Sequence, residues 1–221
     1  LLEASPENLQ TVEKHSVHVI SELTKIDLAS LNTQFLETEF LGETHLRRHF
    51  SAQQNYYQWV IGNNREHPVI ESAFTWLEEN WPEESATVLS WGDSRIGNIM
   101  FSNESFTPVA VFDWEMAGLA PVEVDLGWIV FLHSFFQDIA ETYEFPGLPD
   151  FMKAETVKEI YKEQTGHTSK DLQWFMVYAG LRHAIIMSRI NDRSVRFGQA
   201  IWTEDVDDAI PHSNLLWSMI R

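Results

Sequence analysis

Between Ala86 and Asp113 the apolar pattern of this chain abandons the helical period. Thr87-Val88-Leu89-Ser90-Trp91, Asn98-Ile99-Met100-Phe101 and Pro108-Val109-Ala110-Val111-Phe112 are three short β-prone runs, the last two separated by the turn-like Ser102-Asn103-Glu104-Ser105. On both sides helical spacing rules. The fold class this predicts is α+β and mainly helical, with one small β insertion. One domain spans 1–221: a helical part over 1–85, the β insertion and its loops over 86–128, and a second helical part over 129–221.

Ser5-Pro6-Glu7-Asn8 is a helix start, with Ser5 as N-cap and Pro6 in the first turn, followed by Leu9, Val12, Ser16, Val19, Ile20 and Leu23 on one face. A second helix is expected over Thr44 to Ile61, with Leu46, Phe50, Tyr57, Val60 and Ile61 inward. A third is expected from His67 to Glu79, with Ile70, Phe74 and Leu77 on its apolar face, ended by Trp81-Pro82. Helices resume near Val122, and the one from Leu172 to Ile190 is apolar almost all round, which puts it at the centre of the core.

A hydrophobic fraction of 44%, with nine Trp and fourteen Phe, supports a substantial core. Without cysteine, disulfides and thiolate metal sites are excluded. The longest apolar run, Leu126 to Leu132, is too short to span a bilayer, and no signal peptide is seen, so a cytoplasmic protein with no membrane partner is expected. The formal charge of −18 argues against nucleic acid as a partner, because phosphates would be repelled. It would attract a cationic small molecule, but a solvated acidic surface is the favoured reading. A start at Leu1 rather than Met is expected of a piece of a longer product or of a processed one.

The chemistry gathers around the β insertion. Trp91-Gly92-Asp93-Ser94-Arg95-Ile96-Gly97-Asn98 reads Asp-x4-Asn, and Val111-Phe112-Asp113-Trp114-Glu115 places a second Asp at the end of an apolar run. This is the spacing of a phosphoryl-transfer loop and its metal-binding aspartate. If the two strands pair antiparallel, the start of the first lies beside the end of the second, so Asn98 and Asp113 meet. Hard oxygen ligands of this kind suit Mg²⁺, which takes the rest of its shell from water and nucleotide phosphates such as those of ATP. Asp113 and Asn98 would hold metal and nucleotide, with Glu115 as a ligand through water or a supporting group. Asp93 would orient the attacking hydroxyl and accept its proton. Gly92 and Gly97 would let the loop turn tightly, and Arg95 would contact phosphate or pair with a carboxylate. The bland alternative is that Asp93 and Asn98 cap turns and Asp113 merely ends a strand. Trp114-Glu115 and the later Asp125-Leu126-Gly127 add specificity to the first reading.

The segment from Ser90 to Trp128 resembles the catalytic core of the aminoglycoside phosphotransferase family, which has a protein-kinase-like fold and carries His-Gly-Asp-x4-Asn followed by an Asp-Trp-Glu-type segment. Arg95-Ile96-Gly97-Asn98, Asp113-Trp114-Glu115-Met116-Ala117 and Asp125-Leu126-Gly127-Trp128 are most similar to the branch related to the phosphotransferase domains fused to acyl-CoA dehydrogenases. The resemblance implies a kinase-like C-terminal lobe in which Asp93 is the base, Asn98 and Asp113 are metal ligands, and Asp125 braces the loop. It further implies Mg²⁺ and ATP or another nucleoside triphosphate as cofactors, and a small-molecule hydroxyl as acceptor. Trp91 stands where the family usually has His, a position that supports the loop. The N-terminal β lobe that clamps nucleotide in such enzymes is absent. The first 92 residues hold only Gly42, Gly62 and Gly92, with no Gly-x-Gly, and Lys14 and Lys25 fall on predicted helices. This nucleotide-binding lobe is therefore a missing partner. A non-catalytic kinase-like binding domain, or a metal-dependent phosphoester hydrolase built on the same carboxylates, are the competing functions.

Other features read as structural. His45 and His49 lie four apart without a third ligand and are expected to be a surface pair. Trp128, Phe131, Phe135 and Phe136 read as core, with a cleft wall as the alternative. Trp174, Tyr178, His183 and Arg189 share the late helix, where the family resemblance implies an acceptor pocket without choosing among them. Gly92-Asp93-Ser94-Arg95-Ile96 lacks the final Gly of a hydrolase elbow.

Overall fold

The computed structural model describes residues 1–62 and 65–221. In chain order the helices are α1 (Pro6–Leu23), α2 (His45–Ile61), α3 (Pro68–Glu79), α4 (Glu123–Thr142), α5 (Ala154–Thr165), α6 (Leu172–Arg196) and α7 (Ser213–Ile220). Four short strands, β1 (Thr87–Ser90), β2 (Ile99–Phe101), β3 (Pro108–Val111) and β4 (Gly118–Pro121), lie between α3 and α4. The chain is thus α+β and mainly helical, as its periodicity predicts.

Local chemistry sets the early helix ends. The Ser5 hydroxyl accepts the N–H of Asn8, and that of Thr44 accepts the N–H of Arg47, each satisfying a donor that a helix start leaves unpaired. Helix α2 buries the five side chains its spacing singles out, and α3 buries Val69 and Ala73 beside Ile70, Phe74 and Leu77. The inward stripe of α1 is rotated from the expected one. Val17 and the carboxylate residue Glu13 are buried, whereas Val19 and Leu23 are half-buried. Burial of Glu13 is compensated because its Oε1 accepts the backbone N–H of Met152.

The strands form two separate antiparallel ladders. β2 pairs with β3, Ile99 facing Val111, and β1 pairs with β4, Ser90 facing Gly118. Asn98, expected to begin a strand, closes a 3₁₀ turn just before β2. Strand β4 has no counterpart in the sequence reading: Gly118-Leu119-Ala120-Pro121 holds no β-branched or aromatic residue, and its extension depends on pairing with β1. The second ladder has a topological consequence. Residues 91–98 connect β1 to β2, and residues 112–117 connect β3 to β4. Both connections therefore run between the same two ladders, side by side.

Helix α6 runs six residues beyond its expected end at Ile190 and is the spine of the core, burying Trp174, Phe175, Val177, Tyr178, Leu181, Ala184 and Ile185 among others. Its seam with α4 is tight at Gly127, where an added Cβ would lie 2.6 Å from the Phe175 backbone carbon. Among the described residues no helix is long and apolar enough to cross a membrane.

Candidate active site

The 91–98 connection is built around buried acceptors. Asp125, in the first turn of α4 and 1% exposed, takes the backbone N–H of Trp91 on Oδ2 and that of Gly92 on Oδ1, both at 2.8 Å. The Ser94 hydroxyl donates to the Asp125 carbonyl at 2.7 Å. The loop is thereby pinned to the helix. Burial pushes the Asp125 carboxyl above its ordinary range, and the two amides, Ser90 and the charge of Arg182 pull it back. Gly92 has φ +88°, and a Cβ there would stand 2.0 Å from the Met116 carbonyl oxygen. Only glycine permits that turn at that distance from the neighbouring connection.

Trp91 is fully buried, and its indole N–H donates to the carbonyls of Phe112 (2.8 Å) and Asp113 (3.2 Å). The Phe112 N–H donates in turn to the Asn98 carbonyl at 2.9 Å. These bonds join the two connections and place the backbones of Asn98 and Asp113 together.

Asp93 sits at the centre. Its Oδ2 accepts from Asn98 Nδ2 (2.7 Å) and Arg95 Nε (3.2 Å), and its Oδ1 accepts from the indole of Trp128 (2.8 Å). Arg95 is thus paired with the Asp93 carboxylate, one of the two partners open to it from sequence. Asn98 spends its amide nitrogen on the carbonyl and carboxylate of Asp93, and its Oδ1 makes no hydrogen bond among the described residues. Asp113 is exposed and left-handed, with φ +58°, and neither its carboxylate nor that of exposed Glu115 makes a hydrogen bond or ion pair there. No group of three or more His, Asp or Glu side chains among the described residues is arranged to hold a metal. What the site offers a cation is one amide oxygen and one exposed carboxylate on adjacent backbones. That set fits a hard ion completing its shell with phosphate and water.

Helix α6 closes the site from behind. Arg182, 1% exposed, donates from Nη2 to the Gly92 carbonyl at 3.1 Å and lies 4.4 Å over the Trp128 ring. Burial lowers its affinity for its proton, opposed by Tyr178, Asp125 and Asp93. His183, next in sequence, faces His212 with Nδ1 atoms 3.3 Å apart. Burial depresses His183 to about 4, with Asp93 acting against the shift and Arg95 with it, and depresses His212 to about 3. Both rings are neutral at pH 7.

Two readings change. His45 and His49 are not a surface pair: His45 bonds Thr87 and Glu37, while half-buried His49 bonds the Tyr178 hydroxyl at 2.6 Å, and burial depresses it to about 3. Phe136 is 53% exposed and leaves the core, its neighbours Phe131 and Phe135 having taken the inward face of α4. Trp128 is core, but with its polar edge on Asp93. Arg182 escaped the sequence reading altogether, although an arginine inside a helix apolar almost all round is itself a signal that something must receive its charge.

A small cavity of about 150 Å³ flanks the loop at Arg95, Ile96 and Gly97, walled by Ile129, Leu132, His133, Phe136 and Met152. Two larger ones, of about 480 and 630 Å³, are lined by other residues and touch neither connection. The geometry of the carboxylates, rather than cavity size, locates the candidate site.

Known proteins agree with this architecture. The family model of the phosphotransferase enzyme family matches residues 5–153. Human acyl-CoA dehydrogenase family member 11 is 29% identical over 121 residues, covering 53% of this chain and 15% of that protein. Mouse acyl-CoA dehydrogenase family member 10 is 33% identical over 61 residues, 28% of this chain and 6% of that protein. A solved structure from Ralstonia eutropha, assigned as an aminoglycoside phosphotransferase, superposes with TM-score 0.76 at 20% identity, covering all of this chain and 66% of that one. A macrolide 2′-phosphotransferase from Brachybacterium faecium gives 0.54 at 16% identity over 92% of this chain and 59% of that one. The chain therefore spans less than two thirds of each of these proteins.

Proposed function

The chain belongs to the phosphotransferase enzyme family, and from that premise we propose that it transfers the γ-phosphoryl group of ATP, or another nucleoside triphosphate, to a hydroxyl of a small molecule. The observation that carries this reading is the Asp93 carboxylate, held by three donors on a loop cross-linked to the segment bearing Asp113. Phosphoryl transfer asks the protein for alignment and charge neutralisation rather than covalent chemistry. In the proposed step the acceptor oxygen bonds to the γ-phosphorus and the bond from that phosphorus to the β–γ bridging oxygen breaks. The nucleoside diphosphate leaves, and the acceptor proton passes to Asp93. Oδ1 is the better placed acceptor, since Oδ2 already takes two bonds.

Asn98 Oδ1 and the Asp113 carboxylate would hold Mg²⁺, with Glu115 reaching it through water. When bound, the ion supplies charge neutralisation of the phosphates. Arg95 is 38% exposed in its side chain and can swing from Asp93 to a phosphate oxygen when nucleotide arrives. The apolar cavity beside Arg95 would seat an apolar part of the acceptor. Covering of the phosphates is assigned to a β-rich lobe outside these 221 residues, because the described residues before Thr87 contain no strand and no Gly-x-Gly.

Calorimetric titration of this chain with ATP and Mg²⁺, alongside Asp113→Ala, tests the reading. Binding that is lost in the variant supports it. Absence of binding both here and in the full-length gene product overturns it.

A further inference from the structure

Arg182 carries a guanidinium into the interior. It is 1% exposed, and among the described residues it forms no ion pair and its Nε and Nη1 have no hydrogen-bond partner. A buried guanidinium without a paired carboxylate is retained only against a large desolvation cost. Its one hydrogen bond goes to the Gly92 carbonyl, immediately before Asp93, and its flat face covers the Trp128 ring at 4.4 Å. The same ring, 2% exposed, points its N–H at Asp93 Oδ1. The path from cation to carboxylate is thus one aromatic ring long. A guanidinium over an indole face is attracted to the ring's electron density, and the N–H lies at the positive edge of that ring. One residue before Trp128, Gly127 lets α4 lie close to α6, where a Cβ would stand 2.6 Å from the Phe175 backbone carbon.

We propose that Trp128 and Arg182 are positioning residues for Asp93: the indole N–H fixes the direction of Oδ1, and the buried guanidinium locks both the indole and the Gly92 carbonyl in place. This rests on the role of Asp93 in the reading above for its functional meaning, but its geometry is testable without nucleotide. Asp93 is otherwise held only on its Oδ2 side, by Asn98 and Arg95 of its own loop. Without the indole, the carboxylate is free to turn about its last bond. The helix framework then no longer specifies where a proton acceptor stands relative to the Asp113 segment.

The experiment uses the whole chain, ¹⁵N-labelled. It carries nine indole N–H groups, and Trp128→Phe identifies its own signal by deletion while keeping an aromatic ring under Arg182. The Trp128 signal is expected to show slow hydrogen exchange, and to shift and exchange at least tenfold faster in both Asp93→Asn and Arg182→Gln, with Arg182→Lys intermediate. A Trp128 signal indifferent to Asp93→Asn overturns the proposal, whatever the nucleotide result. Where the full-length protein turns over MgATP, Trp128→Phe is expected to lower kcat about tenfold or more with KM for MgATP unchanged, and Trp128→His, which restores a ring N–H, to recover part of it. A loss that falls on KM instead, or an equal loss in Trp128→His, marks a packing role and overturns the proposal. Failure of MgATP to bind both this chain and the full-length protein while the spectroscopic coupling is present rejects the phosphotransfer reading and leaves the positioning contact standing.

Discussion

The two connections that cross between the ladders are neighbours of opposite character. In residues 91–98 nearly every polar group is spent: Asp93 takes three donors, Asn98 gives both its amide bonds to Asp93, and the Trp91 and Gly92 amides end on Asp125. In residues 112–117 the backbone is tied down, but the Asp113 and Glu115 side chains reach solvent and bond nothing among the described residues. The first connection is finished except at Asn98 Oδ1, whereas the second keeps both its carboxylates open. A proton acceptor gains from fixed direction, whereas a ligand to a mobile, hydrated cation gains from access.

That contrast can be broken from either side. The largest effect is expected from Asp93→Asn, which keeps the shape of the side chain but removes its basicity and one of its two acceptor oxygens. Phosphoryl transfer should fall by about 10²–10⁴-fold with circular dichroism unchanged, and turnover near wild type would remove Asp93 from its role. Asp125→Ala attacks the finished connection at its root and leaves two buried N–H groups without acceptors, costing about 2–5 kcal/mol in urea unfolding. Asp113→Asn should do the reverse, leaving the urea midpoint in place while weakening binding of Mg²⁺ with nucleotide by about 10–100-fold.

Acidification sharpens the same comparison, because the neutral ring of His183 feels the charges of Asp93 and Arg95 in the first connection and packs in turn on His212. Both have folded values depressed below that of the unfolded chain, so the unfolded state takes up protons first. Their contribution is complete above about pH 6.5 and is lost as the pH falls toward about 4 for His183 and about 3 for His212. A step from pH 6.5 to 5.5 should withdraw about 1 kcal/mol of unfolding free energy per histidine, measurable as a drop in the urea midpoint that His212→Gln reduces. The smallest effect belongs to Glu115→Gln, expected within about 0.5 kcal/mol on stability and severalfold at most on nucleotide affinity.

Much of this was legible in the residues. The cap at Ser5 and the apolar spacing of Leu46, Phe50, Tyr57, Val60 and Ile61 located the early helices, because those signals are local. The β2–β3 hairpin was legible for the same reason. Strand β4 was not, since Gly118 to Pro121 are extended by a partner thirty residues earlier rather than by their own preference. The site divides likewise. Asp93, Asn98 and Asp113 stand out by spacing along one stretch of chain. The indole of Trp128 hides in an aromatic run that is otherwise core, and Arg182 lies ninety residues from the carbonyl it binds. A long-range hydrogen bond has no period to betray it.

The single indole N–H of Trp91, divided between two carbonyls of the opposite connection, has a mechanical consequence. It couples the two segments so that thermal displacement of one is shared by the other. Breathing of the surrounding helices then moves the segments bearing Asp93 and Asp113 together, in common mode. Tolerances in such a site are set by that bifurcated bond together with the bond from the Phe112 N–H to the Asn98 carbonyl.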